Sequence, residues 1–92
     1  MDFVWDDEKA AENLEKHGVA FEDAIAAICD PARLDRFDER FHYGEARLQI
    51  MGRSANGMIL FVVIVEEPLE TRIISARKAN RREEQAYYAR ED

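Results

Sequence analysis

Apolar residues at 21, 24, 25 and 28 follow the i, i+3, i+4, i+7 spacing of one helical face, and Pro31 closes the segment. Upstream, DEKAAENLEKH predicts a first helix: Asp6 suits the N-cap, Asp7 and Glu8 suit the positive end of the helix dipole, and Gly18 suits the position just past the C-terminus. Ala10 and Leu14 are the positions expected to face the core. From Arg33 onward the period shortens. RLDRFDE predicts a weak edge strand, and ARLQIMGR alternates with Leu48 and Ile50 on one face and Arg47, Gln49, Met51 and Arg53 on the other. Asn56-Gly57 provides a reversal with positive φ, MILFVVIV has the continuous apolar character of a central strand, and TRIISAR follows a turn around EEPLE. Ala79, Glu83 and Tyr87 then form one stripe of a terminal helix. The expectation is an α+β domain with two N-terminal helices, about four antiparallel strands and a C-terminal helix.

At 92 residues and 47% hydrophobic content, one domain spanning residues 1–92 is expected, with a core large enough to fold. The longest apolar run, Met58 to Val65, is too short for a membrane helix, and the N-terminus has no signal-peptide pattern, so a cytoplasmic protein without membrane contact is expected. Cys29 is the only cysteine, which excludes an internal disulfide and a multi-thiolate zinc site; it is expected to be a buried small hydrophobe. His17 and His42 have no metal-ligand spacing, so neither a metal nor another cofactor is expected.

Net charge is −7, but it is unevenly distributed. Residues 1–29 hold eight acids against two bases, residues 30–82 eight against ten, and residues 83–92 four against one. RIISARKANRR, Arg72 to Arg82, carries five cations and no acid. Within a Debye length of roughly 8–10 Å, such a patch outweighs the distant acidic ends. In an unbulged strand Arg72 points with Ile74 and Ala76, and Arg77 points the other way. Arg77 lies near a strand-to-helix junction, where helix N–H groups and a guanidinium together suit a phosphate, and Lys78, Arg81 and Arg82 extend the positive field.

The segments FVWDDEKAAENLEKHGVAFEDA, YGEARLQIMG and RIISARKA, followed by Glu83 and Tyr87, resemble the BrnT family, the toxin half of a bacterial type II toxin–antitoxin pair. The resemblance runs from Phe3 to about Tyr87. It implies a compact RelE/ParE-like toxin fold and a metal-independent endoribonuclease that inhibits translation, with RNA as substrate. It also implies a BrnA-like ribbon-helix-helix antitoxin, with DNA met only through that partner when the complex represses its own operon. The chain's acidity is a departure, being poorly suited to gripping RNA over a broad surface.

Metal-free RNA cleavage needs a group to take the 2′-hydroxyl proton, positive charge around the phosphorane and a proton for the leaving 5′-oxygen. Glu45 suits the base, Arg47 and Arg77 suit a phosphate clamp, and His17 suits the acid with Lys16 beside it; exchanging acid and base fits the sequence equally well. Lys16, Arg53, Arg72, Lys78 and Arg81 are candidates for holding the RNA backbone. Each has a plainer alternative. Glu45 and Arg47 are also spaced as a surface pair, His17 as a helix-end cap, and Lys9, Asn13, Lys16 and His17 as the wet face of an amphipathic helix. Trp5 is expected in the core and Tyr88 on a partner-facing surface. The competing function is a catalytically weak or inactive binding module that acts in autorepression with the antitoxin.

Overall fold

The computed structural model describes residues 2–38 and 45–90. His42, with the Tyr43-Gly44 part of the YGEARLQIMG segment, lies outside the described residues. The order is β1 (Asp2–Val4), α1 (Asp7–His17), α2 (Phe21–Ile28), β2 (Leu34–Phe37), β3 (Leu48–Arg53), β4 (Ile59–Glu66), β5 (Glu70–Lys78) and α3 (Arg81–Ala89). These build one five-stranded sheet in the order β1-β5-β4-β3-β2. The α+β class and three helices agree with expectation. The sheet differs: β1 is a fifth strand and pairs parallel with β5 over Glu70, Thr71 and Arg72, so the sheet is mixed and not purely antiparallel. Three residues with no visible alternation carry too little periodic signal to be read as a strand.

Local chemistry explains α1. The Asp6 carboxylate accepts from the backbone amides of Glu8 and Lys9 at 2.9 and 3.0 Å, and Gly18, at φ 71°, donates back to the Leu14 carbonyl. Which face α1 buries is another matter. Leu14, expected in the core, is 51% exposed, and Asn13 is buried instead. Its side-chain amide donates to the carbonyls of Val19 and Ala76, and its carbonyl accepts from the Ala76 amide at 3.1 Å. β1 stops pairing at Arg72, so the Asn13 side chain takes the place of a missing neighbour strand at Ala76.

The helices α1 and α2 cover one sheet face, where Phe21, Ala24, Ala27 and Ile28 pack on Ile50, Leu60, Val62, Ile64, Ile73 and Ala76. Trp5 joins this core edge-on to Phe21, with ring centroids 5.9 Å apart, as expected. Cys29 departs from expectation: as the residue capping α2 it is exposed, not buried. Among the described residues, the other face carries α3 alone, at one end, where Tyr87 and Ala79 pack with Ile59 and Ala32. Between β3 and β4 the reversal runs through Ser54 to Met58, with positive φ at Gly57 alone.

One irregularity decides what the second face displays. Along β4 and β5, Leu60, Phe61, Val62 and Val63 pair with Lys78, Arg77, Ala76 and Ser75, but Ile64 pairs with Ile73. Ile74 is the extra residue of a β-bulge, and the parity of the strand inverts across it. Arg72, opposite Val65, and Arg77, opposite Phe61, therefore share a face. The opposed directions expected for an unbulged strand do not occur.

Where α2 meets the sheet, a Cβ added to Gly52 would lie 2.1 Å from the Ala27 carbonyl oxygen. Because backbone is the obstacle, Gly52→Ala is expected to cost about 3 kcal/mol or more, lowering the melting temperature by roughly 12 °C or more. Thermal unfolding followed by circular dichroism measures this, and an unchanged transition would mean that α2 does not sit so closely on β3.

Candidate functional site

Opposite the α1–α2 layer, strand register arranges the side chains in rows. Leu34, Met51, Phe61 and Arg77 form one row across four strands, and Arg36, Gln49, Val63 and Ser75 form the next. Beyond the bulge, Val65 lies beside Arg72, and the β3 alternation carries Arg47 to the same end. Phe61, Val63 and Val65 are buried, whereas Arg47, Arg72 and Arg77 are half-buried. Apolar residues thus floor the face and arginines dominate its polar surface.

Two carboxylates fix these arginines. Glu45 receives Arg72 Nη2 on Oε2 at 2.6 Å and lies 3.7 Å from Arg47 Nη2 through Oε1. Two rows away, Arg77 makes a fork-to-fork pair with Glu83, Nη1 to Oε1 at 2.8 Å and Nη2 to Oε2 at 2.9 Å. The Arg77 guanidinium also stands 4.2 Å from the Phe61 ring centroid, so its plane is held on two sides.

Glu83 couples this site to α3. Its Oε1 accepts from the Asn80 amide, and the Asn80 side chain accepts from the Glu83 amide, closing a capping box at the start of the helix. Burial pushes the Glu83 pKa up, but the Arg77 bonds, the Asn80 amide and the charges of Arg77 and Arg36 outweigh it and hold the carboxyl below its ordinary value. The other end of α3 is pinned by Tyr87, whose hydroxyl donates to Asp30 Oδ2, while Asp30 also accepts from the Arg53 and Ala32 amides. Burial raises the Asp30 pKa, and these hydrogen bonds more than reverse the shift.

The structure brings Glu45, Arg47 and Arg72 into one group and sets Arg77 on the same face. Lys16 and His17 line a polar depression of about 210 Å³ with Lys9, Glu12, Asn13, Ile74 and Ser75. Ser75, between Arg72 and Arg77 along β5, is the residue this depression shares with the arginine face; Arg47, Arg72 and Arg77 do not line it. The remaining candidates are dispersed. Arg53 packs against Tyr87 and Tyr88, 5.8 and 5.5 Å from their ring centroids, which places it in the seat of α3. Lys78 is exposed opposite Leu60, on the parity of the other sheet face, and Arg81 is exposed in the first turn of α3. Tyr88 is exposed, as expected.

Sequence reasoning missed Arg36, Gln49, Phe61, Ser75 and the pairing of Glu83. Glu83 stood out only as a motif residue on the helix stripe; that its carboxylate turns toward β5 follows from the capping box, for which Asn80-x-x-Glu83 was the available signal. Among the described residues, no group of three His, Cys, Asp or Glu side chains is placed to hold a metal ion. No described helix is long and apolar enough to cross a membrane.

The depressed Glu83 pKa fixes a pH signature. Its contribution to stability is present above the unfolded value of about 4.5 and is lost as pH falls through the lower folded value. Glu83→Gln is therefore expected to be less stable than the wild type at pH 7, with the gap closing as pH drops below about 4.5. Melting temperatures from pH 7 to pH 3 measure it, and a gap independent of pH would remove the carboxylate from the account.

The chain is similar to the crystallised ribonuclease toxin BrnT of Brucella abortus, with a TM-score of 0.60 and 22% identity over 88% of this chain and 99% of that chain. At this identity the likeness concerns the fold. No curated protein matches the chain. Residues 5–83, from the Trp5 that packs on Phe21 to the Glu83 that holds Arg77, match the family model described as the ribonuclease toxin, BrnT, of type II toxin–antitoxin systems. With most of the sequence matched, including the strands and loops that carry the arginine face, the chain belongs to the BrnT family of ribonuclease toxins.

Proposed function

We propose that this chain is a metal-independent endoribonuclease that inhibits translation in the cytoplasm and is neutralised by a BrnA-like ribbon-helix-helix antitoxin. The observation that carries the reading is the shared face of Arg47, Arg72 and Arg77 over an apolar floor, with Glu45 among them. The acidic exterior restricts RNA contact to this face, where guanidiniums neutralise the backbone locally.

In the reaction, Glu45 takes the proton of a 2′-hydroxyl, the 2′-oxygen attacks the adjacent phosphorus, and the 5′-oxygen departs with a proton from His17. The products are a 2′,3′-cyclic phosphate and a 5′-hydroxyl. Arg72 and Arg47 orient Glu45, whose oxygens keep further lone pairs for the incoming proton. Arg77 and Arg47 supply directed donors to the negative phosphorane. Lys16 and His17 reach the reaction across the β5 edge at Ser75, with the RNA backbone crossing between Arg72 and Arg77. Lys78 and Arg81 guide the strand farther out, and Arg53 contributes through its hold on α3.

A second reading has its own observation. Glu45 and Glu83 already occupy Arg72 and Arg77, so the face also suits a protein partner that exchanges carboxylates with them, and a catalytically weak chain would act with its antitoxin in autorepression. Purified chain incubated with RNA in the presence of a chelator separates the two. The enzyme reading expects cleavage that ends in cyclic phosphate and falls about 10²–10³-fold in Arg77→Ala, with a comparable loss in Glu45→Gln. Absence of cleavage by wild type, or equal cleavage by all three proteins, would remove it. Binding of the adjacent ribbon-helix-helix gene product with no cleavage would favour the second reading.

A further inference from the structure

A pocket of about 210 Å³ opens beside the Arg77–Glu83 pair, lined by Leu34, Asp35, Arg36, Gln49, Met51 and Phe61. Its size is below the roughly 300–1,000 Å³ of sites that enclose drug-sized ligands, which suits one planar ring system better than a larger molecule. Phe61 belongs to both places: it lines the pocket, and its ring carries the Arg77 guanidinium. A group seated here is therefore next to whatever Arg77 holds.

The lining has two kinds of surface. Leu34, Met51 and Phe61 form an apolar row across β2, β3 and β4, with the thioether of Met51 able to adjust to a flat partner. Arg36 and Gln49 are cross-strand neighbours in the next row, and Arg36 Nε donates to Gln49 Oε1 at 3.1 Å. This bond turns Gln49 Oε1 toward Arg36 and leaves the Gln49 amide nitrogen, with the terminal nitrogens of Arg36, as donors. Asp35 lies opposite Ile50 on the other strand parity, so its carboxylate, which receives Arg33 Nε on Oδ1 at 2.9 Å, belongs to the α2 side of the sheet. The donors of Arg36 and Gln49 beside an apolar slot match guanine, which presents O6 and N7 as adjacent acceptors. Cytosine and uracil lack N7, and adenine offers an amino group where guanine has O6.

We propose that this pocket binds an unstacked guanine of the RNA, adjoining the phosphate held by Arg77, and thereby selects the cleavage site. The proposal rests on the ribonuclease reading of the arginine face and adds the base that is read there. Unpaired RNA fits this mode because its bases turn out of the stack and expose their edges.

The test cleaves a randomised single-stranded RNA pool with the full-length chain and sequences the new ends, for wild type, Arg36→Ala and Gln49→Glu. Guanine is expected to be enriched about tenfold over other bases at one fixed position beside the cut, with the enrichment falling to about twofold or less in either variant. Circular dichroism checks that the variants are folded, and exposed Arg36 remains informative if the more buried Gln49 is not tolerated. An unbiased wild-type profile, or a guanine preference unchanged in Arg36→Ala, would overturn the proposal. If wild type cuts nothing, the ribonuclease reading fails separately, and the pocket is judged by NMR titration with guanosine and cytidine monophosphates. Selective shifts of Gln49 and Phe61 with the guanosine compound support it, and equal or absent shifts overturn it.

Discussion

The extra residue in β5 is the constraint on which the outer face depends. A strand alternates its side chains, so Arg72 and Arg77, five positions apart, would stand on opposite sides of a regular sheet. Ile74 inserts one residue against β4 and cancels the difference. Arg72, Ser75 and Arg77 then follow one another along the same face, and Ile73 and Ala76 still reach the core under α1 and α2. One residue thereby reconciles a buried hydrophobic face with an aligned row of cations. The Asn13 amide stabilises the strand just past the bulge, where no neighbouring strand satisfies Ala76.

Charge on this face is controlled by pairing. The cation-rich segment from Arg72 to Arg82 contains no acid, yet Glu45 arrives from the loop before β3 and Glu83 from α3 to hold two of its arginines. An isolated exposed pair contributes under about 1 kcal/mol, so these contacts matter more for orientation than for stability. Arg77 is the better fixed of the two, since both terminal nitrogens are engaged and its plane rests on Phe61. A guanidinium held in this way presents its charge in a set direction, which a freely moving lysine would not. An acidic protein can then attract a polyanion at one place while its remaining surface discourages broad contact.

How much was legible in the sequence depended on how local the cause was. The span and both ends of α1 were readable because Asp6 and Gly18 act within a turn of the helix. Its buried face was not, because Leu14 satisfies the helical pattern but Asn13 is the residue that the open edge of β5 requires. The strand β1 was too short to alternate, and its parallel pairing with β5 joins the two ends of the chain. Arg47, Arg72 and Arg77 were visible as residues, but their common face depended on a bulge that no composition or period announces. Arg36 and Gln49 read as ordinary strand positions until register brought them together beside Phe61. Cys29 was assigned to the core by its residue type, whereas its place at the end of α2 leaves it exposed.

The central claim is that the bulge turns Arg72 and Arg77 toward one RNA strand. Its most direct measurement is an NMR titration of the arginine Nε–H signals with a short RNA in which 2′-deoxy substitution blocks the reaction. The account predicts that Arg72 and Arg77 shift together and saturate at the same RNA concentration, while Arg33, held by Asp35, keeps its position. Shifts of only one of the two arginines, or saturation at clearly different concentrations, would contradict it.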